Sequence, residues 1–190
     1  MIGCGRGDRI GYRARVNARM CPPGVVVMGV SGTGKSTVGR FLADRLGVPF
    51  ADADDLHSPA NVAKMSAGIA LTDEDRAPWL AAVGGWLHER MAEGTGGVIA
   101  CSALRRSYRD IVRAAVPEVF FVHLTADRDD LVARMSRRRG HYMPVSLVDS
   151  QLRTLEPLDA GEHGVVVHTD RTPEVLAENV AALVREWHTR

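Results

Sequence analysis

The feature that most constrains this chain is a glycine-punctuated loop, Gly29-Val30-Ser31-Gly32-Thr33-Gly34-Lys35-Ser36, set between two apolar segments of different period. Upstream, Val25-Val26-Val27-Met28 is short, rich in β-branched residues and stopped by a glycine, which predicts a strand buried on both faces. Downstream, Val38, Phe41, Leu42 and Leu46 recur at helical spacing over Lys35 to Leu46, and Gly47 supplies a stop. A strand that feeds G-x-x-x-x-G-K-[ST] and then opens a helix is suited to wrapping phosphate. The glycines let backbone N–H groups turn inward, the helix N-terminus adds positive potential, Lys35 reaches the β and γ phosphates, and Ser36 is placed to hold magnesium. The expected nucleotide contacts are therefore Gly29, Ser31, Gly32, Thr33, Gly34, Lys35, Ser36 and Thr37, with ATP and Mg2+ as the cofactors.

Three further apolar runs, Gly97 to Cys101, Val119 to Leu124 and Val165 to His168, read as buried strands, and a fourth around Val48 to Ala51 precedes a cluster of aspartates. Helical text separates them, and a helix from Pro173 to Trp187 follows the last. Strands alternating with helices predict an α/β fold: a parallel sheet covered by helices on both faces, with ligands at the carboxyl ends of the strands. Arg128 to Arg139 reads as a helix with a basic end, broken by Gly140-His141-Tyr142-Met143-Pro144. A mobile flap begins there, or the cations simply complement a solvated helix C-terminus.

Composition narrows the partner. A formal net charge of +1 over 190 residues gives no bulk basic excess for nucleic acid or an anionic membrane. No apolar run approaches the roughly 20 residues of a spanning helix. Cys4, Cys21 and Cys101 are scattered, with no CxxC pair for zinc or redox work, and the expected setting is the cytoplasm. Residues 1–23 carry five arginines against Asp8 and no sustained apolar face, which predicts a disordered leader before a single domain over 24–190. Lysine is confined to Lys35 and Lys64, and neither lies in an N-K-x-D guanine-reading segment.

On the acceptor side, Asp52-Ala53-Asp54-Asp55 follows the second strand, at the edge of the sheet beside the glycine loop. Asp54 is placed to take a hydroxyl proton or to orient water on magnesium during in-line transfer; an aspartate-rich turn capping the next helix is the plainer use. His57, Lys64 and Arg76 follow in a segment rich in polar groups, which suits a polyhydroxylated anion. Taken singly, each has an ordinary reading: Arg76 as a surface partner of Asp73 or Asp75, Thr72 to Asp75 as a helix cap with acids in the first turn, His57 as structural and Trp79 as core.

Together these segments resemble the gluconate kinase family, short P-loop sugar-acid kinases related in fold to shikimate and adenylate kinases. The resemblance runs through MGVSGTGKST, DADDLHSPANVAKMSAGIALTDEDRAPWL, CSALRRSYRD, RRRGHYM and SQLRTLEPL, in that order. It implies a P-loop NTPase fold of the nucleoside-monophosphate-kinase type with a small lid around 138–158. It also implies Mg-ATP-dependent phosphorylation of D-gluconate to 6-phosphogluconate, usually by a homodimer. By similarity, Asp54 faces the acceptor with Asp52 as its weaker companion, Arg76 binds the acceptor carboxylate, and His57 and Lys64 line the same pocket. Ser102 meets substrate or magnesium-bound water, and Arg105 and Arg109 add positive potential or lie on a solvated helix face. Arg138 reaches the phosphates from the lid, and Arg134 with Pro173 sandwiches adenine. Three residues depart from the family pattern: Ala53 for glycine, Arg105 for lysine, and Arg153 where an acidic residue is common.

Overall fold

A computed structural model of the chain describes residues 22–136 and 145–189. The leader expected over 1–23 lies outside the described residues except for Pro22 and Pro23, where the Pro23 carbonyl accepts from Gly97 N–H at 3.1 Å. The elements run β1 (Gly24–Met28), α1 (Lys35–Leu46), β2 (Phe50–Asp52), a 3-10 turn (Ala53–Leu56), α2 (Pro59–Ser66), α3 (Asp73–Ala92), β3 (Gly97–Ala100), α4 (Arg106–Ala115), β4 (Phe120–Thr125), α5 (Arg128–Ser136), α6 (Val145–Thr154), β5 (Gly164–His168) and α7 (Pro173–His188).

The strands form one parallel sheet in the order β2-β3-β1-β4-β5. The chain steps from β1 out to β2, returns to β3 beside β1, and then crosses to β4 on the other side. The connection after β1 leads toward β2 and the connection after β4 leads the opposite way toward β5, so they part between β1 and β4 and open a crevice at the carboxyl end of β1, where open α/β sheets bind ligands. Alternation along β1 fixes the two layers. Val25 and Val27 pack with Val38 and Leu42 of α1 and with Leu176, Val180 and Val184 of α7. Val26 and Met28 pack on the opposite face with Leu80, Val83 and Leu87 of α3 and Val112 of α4. Helices on both faces explain why β1 reads as unbroken apolar text: all four side chains from Val25 to Met28 are fully buried.

Two sequence expectations shift. The second strand starts at Phe50, because Val48 N–H is committed to the end of α1, where it donates to Ala43 O at 3.0 Å beside the left-handed Gly47. β5, expected to be buried, is an edge strand with alternating exposure: Val165 and Val167 pack beside α7, whereas Val166 is 56% exposed.

Arg109, expected at the substrate or on a solvated face, is in neither place. It is completely buried on α4, and its guanidinium meets both oxygens of the equally buried Glu162 at 2.6 and 2.9 Å. It also donates to the carbonyls of Glu156 and Pro157 at 3.1 and 3.0 Å. Every face of the fork has an acceptor, as burial of a guanidinium requires. The pair clasps the segment between α6 and β5 to the start of α4. Removing one partner from such a pair costs about 3–5 kcal/mol because the other charge is left buried alone. Glu162→Ala should therefore lower stability in urea denaturation by about that amount, with much of it recovered in Arg109→Met/Glu162→Leu; a loss under about 1 kcal/mol would show that the clasp is not holding the segment.

Candidate active site

The glycine loop leaves β1 with Gly29 at φ 136°, in the region that favours glycine, and a Cβ there would stand 2.4 Å from the Leu124 carbonyl oxygen. Gly29 N–H donates to Ser102 O at 3.3 Å, which ties the loop to the turn after β3. Lys35 Nζ folds back to the Val30 carbonyl at 3.2 Å, and Thr33 Oγ1 donates to the same oxygen at 2.9 Å. Gly34, left-handed at φ 89°, opens α1 without a side-chain cap. The first-turn N–H groups of that helix are thus available to an anion.

Ser36, in the first turn of α1, donates through Oγ to Asp52 Oδ2 at 2.5 Å. Asp52 Oδ1 accepts from Asp54 N–H at 3.2 Å and so caps the 3-10 turn. The carboxylate on Ser36 is therefore that of Asp52, with Asp54 two residues on, in the 3-10 turn that Asp52 caps. A hydroxyl and a carboxylate make a hard oxygen donor pair of the kind magnesium takes, with its remaining positions left to phosphate and water. Among the described residues no group of three or more His, Cys, Asp or Glu is gathered to hold a metal by protein alone. The donor set fits magnesium carried with a nucleotide.

Asp54 is exposed to water, yet its carboxyl lies against enough protein for desolvation to raise its pKa above the usual 3.8. Neighbouring Asp52 adds to the rise, while Lys35 and His57 oppose it. His57 stacks on Trp79, ring centroids 4.3 Å apart and planes at 12°, and Trp79 Nε1–H donates to Ala53 O at 2.6 Å. Trp79 is thus core and support at once, holding the Asp54 turn from below. Burial pushes the His57 pKa down, Asp54 opposes this, and Arg76 adds to it.

The expected cap on α3 is present: Thr72 Oγ1 accepts from Asp75 N–H at 3.3 Å, and Asp75 Oδ2 accepts from Thr72 N–H at 3.0 Å. The Asp75 carboxylate also receives Lys64 Nζ at 2.7 and 2.8 Å. Arg76 donates to the Leu71 carbonyl, lies 3.9 Å from Asp73, and holds its guanidinium 5.9 Å from the Tyr108 ring centroid. Asp73 is shared further, with Arg105 at 2.7 Å and with the Tyr108 hydroxyl, and these contacts hold its pKa low. Lys64, Arg76 and Arg105 thus gather beside the first turn of α3, paired with its acids.

Ser102 is half-buried behind the loop, followed by Ala103 at φ 41°. Burial pushes the Cys101 thiol up to about 12, so it is inert as a nucleophile. On the other side of the loop, Gly32, Gly34 and Thr37 floor a cavity of about 280 Å³ walled by Arg134 and Pro173. That volume sits at the small end of the roughly 300–1,000 Å³ of ligand sites and suits a base rather than a whole nucleotide. Arg134 is set there by Thr169, whose Oγ1 and carbonyl each accept from it at 2.9 Å. Arg138 lies outside the described residues, as does the start of the expected lid.

Sequence reasoning missed several residues here. Asp52 was ranked below Asp54, and only the fold shows that it reaches Ser36. Thr169 and Arg171 line the cavity from the loop after β5, and nothing in their local text marks them. Tyr108 and Asp73 form a junction that becomes visible only when α3 and α4 pack together. Arg153, the charge that departs from the family pattern, is exposed on α6 and acts on Asp149.

The shikimate kinase family model matches residues 31–156. A gluconokinase of Gluconobacter oxydans (strain 621H) is 50% identical over 159 residues, covering 84% of this chain and 89% of that protein. The thermosensitive gluconokinase of Escherichia coli (strain K12) is 45% identical over 141 residues, 74% of this chain and 75% of the relative. The crystal structure of a gluconokinase from Sinorhizobium meliloti 1021 superposes with a TM-score of 0.78 at 44% identity, covering 89% of this chain and 95% of that one.

Desolvation of the Asp54 carboxylate has a consequence for stability. A carboxyl with a raised folded pKa binds more protons folded than unfolded, so the fold loses stability as pH rises through the window above the ordinary value. Asp54→Asn should be modestly more stable than the parent at pH 7 in urea melts, with the gain vanishing below the ordinary carboxylate range. Equal stability at both pH values would mean that the site does not strain this charge.

Proposed function

Because the chain belongs to the gluconokinases of the shikimate kinase family, we propose that it transfers the γ-phosphoryl group of Mg-ATP to the terminal hydroxyl of D-gluconate, giving 6-phospho-D-gluconate. The observation that carries this reading is the Asp52–Ala53–Asp54 turn, which presents one carboxylate to Ser36 of the phosphate loop and a second beside His57 and the cations of α2 and α3. Donor and acceptor ends thus meet across a single turn.

In this reading the base lies in the cavity between Arg134 and Pro173, and the phosphates lie along Gly29–Thr37 with Lys35 neutralising the β and γ oxygens. Ser36 and Asp52 would hold the magnesium ion, which supplies charge neutralisation on the transferring phosphoryl. Asp54 takes the acceptor hydroxyl proton as the bond to phosphorus forms, a role suited by its raised pKa. Arg76 gives up part of its hold on Asp73 to grip the gluconate carboxylate, with Lys64 and His57 lining the sugar-acid chain and Ser102 closing the pocket behind the loop. Action as a cytoplasmic homodimer belongs to the same proposal and rests on the family resemblance.

The test is ATP turnover by purified protein with magnesium, across D-gluconate, other sugar acids, shikimate, AMP and no acceptor. Turnover confined to D-gluconate is the expected result; turnover only with another acceptor would overturn the substrate while leaving the phosphate loop in place. Lys35→Ala should lower kcat by about 100- to 1,000-fold, the usual loss when one donor to developing charge is removed. Arg76→Ala should raise the gluconate KM by about 10- to 100-fold with a smaller effect on kcat, and an unchanged KM would remove Arg76 from the pocket. The acid limb of kcat/KM should lie above the ordinary carboxylate value, and Asp54→Asn should abolish it along with most turnover.

A further inference from the structure

One contact in the phosphate loop is unexplained by nucleotide binding. Ser31 N–H, third in a loop whose amides serve phosphate, donates at 2.6 Å to the side-chain oxygen of Gln151, 120 residues away on α6. The same peptide group is held from its other end. Ser31 N–H and the Val30 carbonyl belong to one planar amide and point in opposite directions. Gln151 takes the N–H, while Lys35 Nζ and Thr33 Oγ1 both donate to the Val30 oxygen, at 3.2 and 2.9 Å. The orientation of this single peptide therefore determines whether the ammonium of Lys35 has its carbonyl partner.

Gln151 is itself rigidly placed. Val148, one turn before it on α6, is 1% exposed and packs with Val30 of the loop, Leu104, and Leu131 and Met135 of α5. Beyond α6, Glu156 N–H donates to Leu104 O at 2.8 Å and the Glu156 carboxylate accepts from Arg106 N–H at 2.5 Å. The helix is thus tied down on both sides of Gln151, to the loop through Val148 and to the start of α4 through Glu156. The residue type also fits. A carboxamide accepts the N–H without setting a negative charge beside phosphates, whereas lysine or arginine has no acceptor to offer.

We propose that Gln151 is a positioning residue for phosphoryl transfer: from α6 it clamps the Val30–Ser31 peptide so that the Val30 carbonyl stays turned toward Lys35. Gln151 acts through Lys35. Without it the peptide is held from its carbonyl end alone, and the oxygen that helps to aim the ammonium at the transferring group is less firmly fixed. The kinetic part of this assignment rests on the kinase reading above; the geometric part does not.

The experiment uses the full chain and Gln151→Met, which keeps the volume and removes the acceptor, together with Gln151→Glu, which restores an oxygen. Hydrogen exchange at the Ser31 amide, followed by NMR, should accelerate about tenfold or more in the methionine variant and return toward the parent rate in the glutamate variant. The kcat with D-gluconate should fall about 10- to 100-fold in Gln151→Met, as expected for a misaimed group, while ADP affinity measured by calorimetry changes less than about threefold. Gln151→Glu should recover kcat at saturating ATP and show a raised ATP KM from its charge. Unchanged Ser31 exchange in Gln151→Met would overturn the clamp whether or not the protein phosphorylates gluconate. So would a kcat loss matched by an equal loss of ADP affinity or by a collapse of the melting temperature, since either marks a merely structural contact. An inactive parent that still shows the exchange difference would sink the substrate assignment and leave the clamp standing.

Discussion

Everything at the active site follows from the position of β1. It is hydrogen-bonded on both edges by parallel neighbours, β3 and β4, and covered on both faces, so all its residues are removed from water. A strand so confined can leave the sheet only at its carboxyl end, and the polar groups of the emerging chain must find partners there. The sheet order makes that end a place where neighbouring connections part. The phosphate loop is what the chain does with the opening: its glycines turn, some of its N–H groups are taken by Ser102 and Gln151, and the first turn of α1 faces the crevice.

The second organising fact is electrostatic. Asp52 links Ser36 to the Asp54 amide and so converts a short strand end into a bridge between the donor and acceptor halves. Desolvation and then the neighbouring Asp52 disfavour the charge on Asp54, and Lys35 and His57 oppose this only in part. On the acceptor side the cations are already matched by the acids of the first turn of α3. Under the proposed function a bound sugar acid would exchange one carboxylate partner for another, so the pocket need not bury bare charge while it waits for substrate.

Much of this was legible in the text because local rules and the fold agree. The loop, α1 from Lys35 to Leu46 and the cap at Thr72 each carry their own signal: a motif, a period, a hydrogen-bonding side chain. Arg134 and Pro173 were placed by resemblance, and both wall the cavity. The failures are of another kind. Arg109 has the same local sequence character as a solvated arginine; its burial is decided by Glu162, more than fifty residues later, which arrives only when the chain returns toward β5. Gln151 stood inside a recognised segment without a role, since its partner is a backbone N–H that no pattern of side chains reveals. Edge strand β5 looked like core because three valines in a row are apolar whichever way each one faces.

The scarcity of lysine takes on meaning once the fold is known. Of the chain's two lysine side chains, Lys35 lies across the phosphate loop and Lys64 lies on the acceptor side against Asp75. Amine chemistry on the side chains of this protein, whether enzymatic acetylation or a laboratory acylating reagent, can therefore strike only one half of the reaction or the other. Under the proposed function, adduct formation at each lysine would become a site-resolved report of occupancy, with nucleotide shielding one ammonium and sugar acid the other, against a surface whose remaining cationic side chains are guanidinium and imidazole.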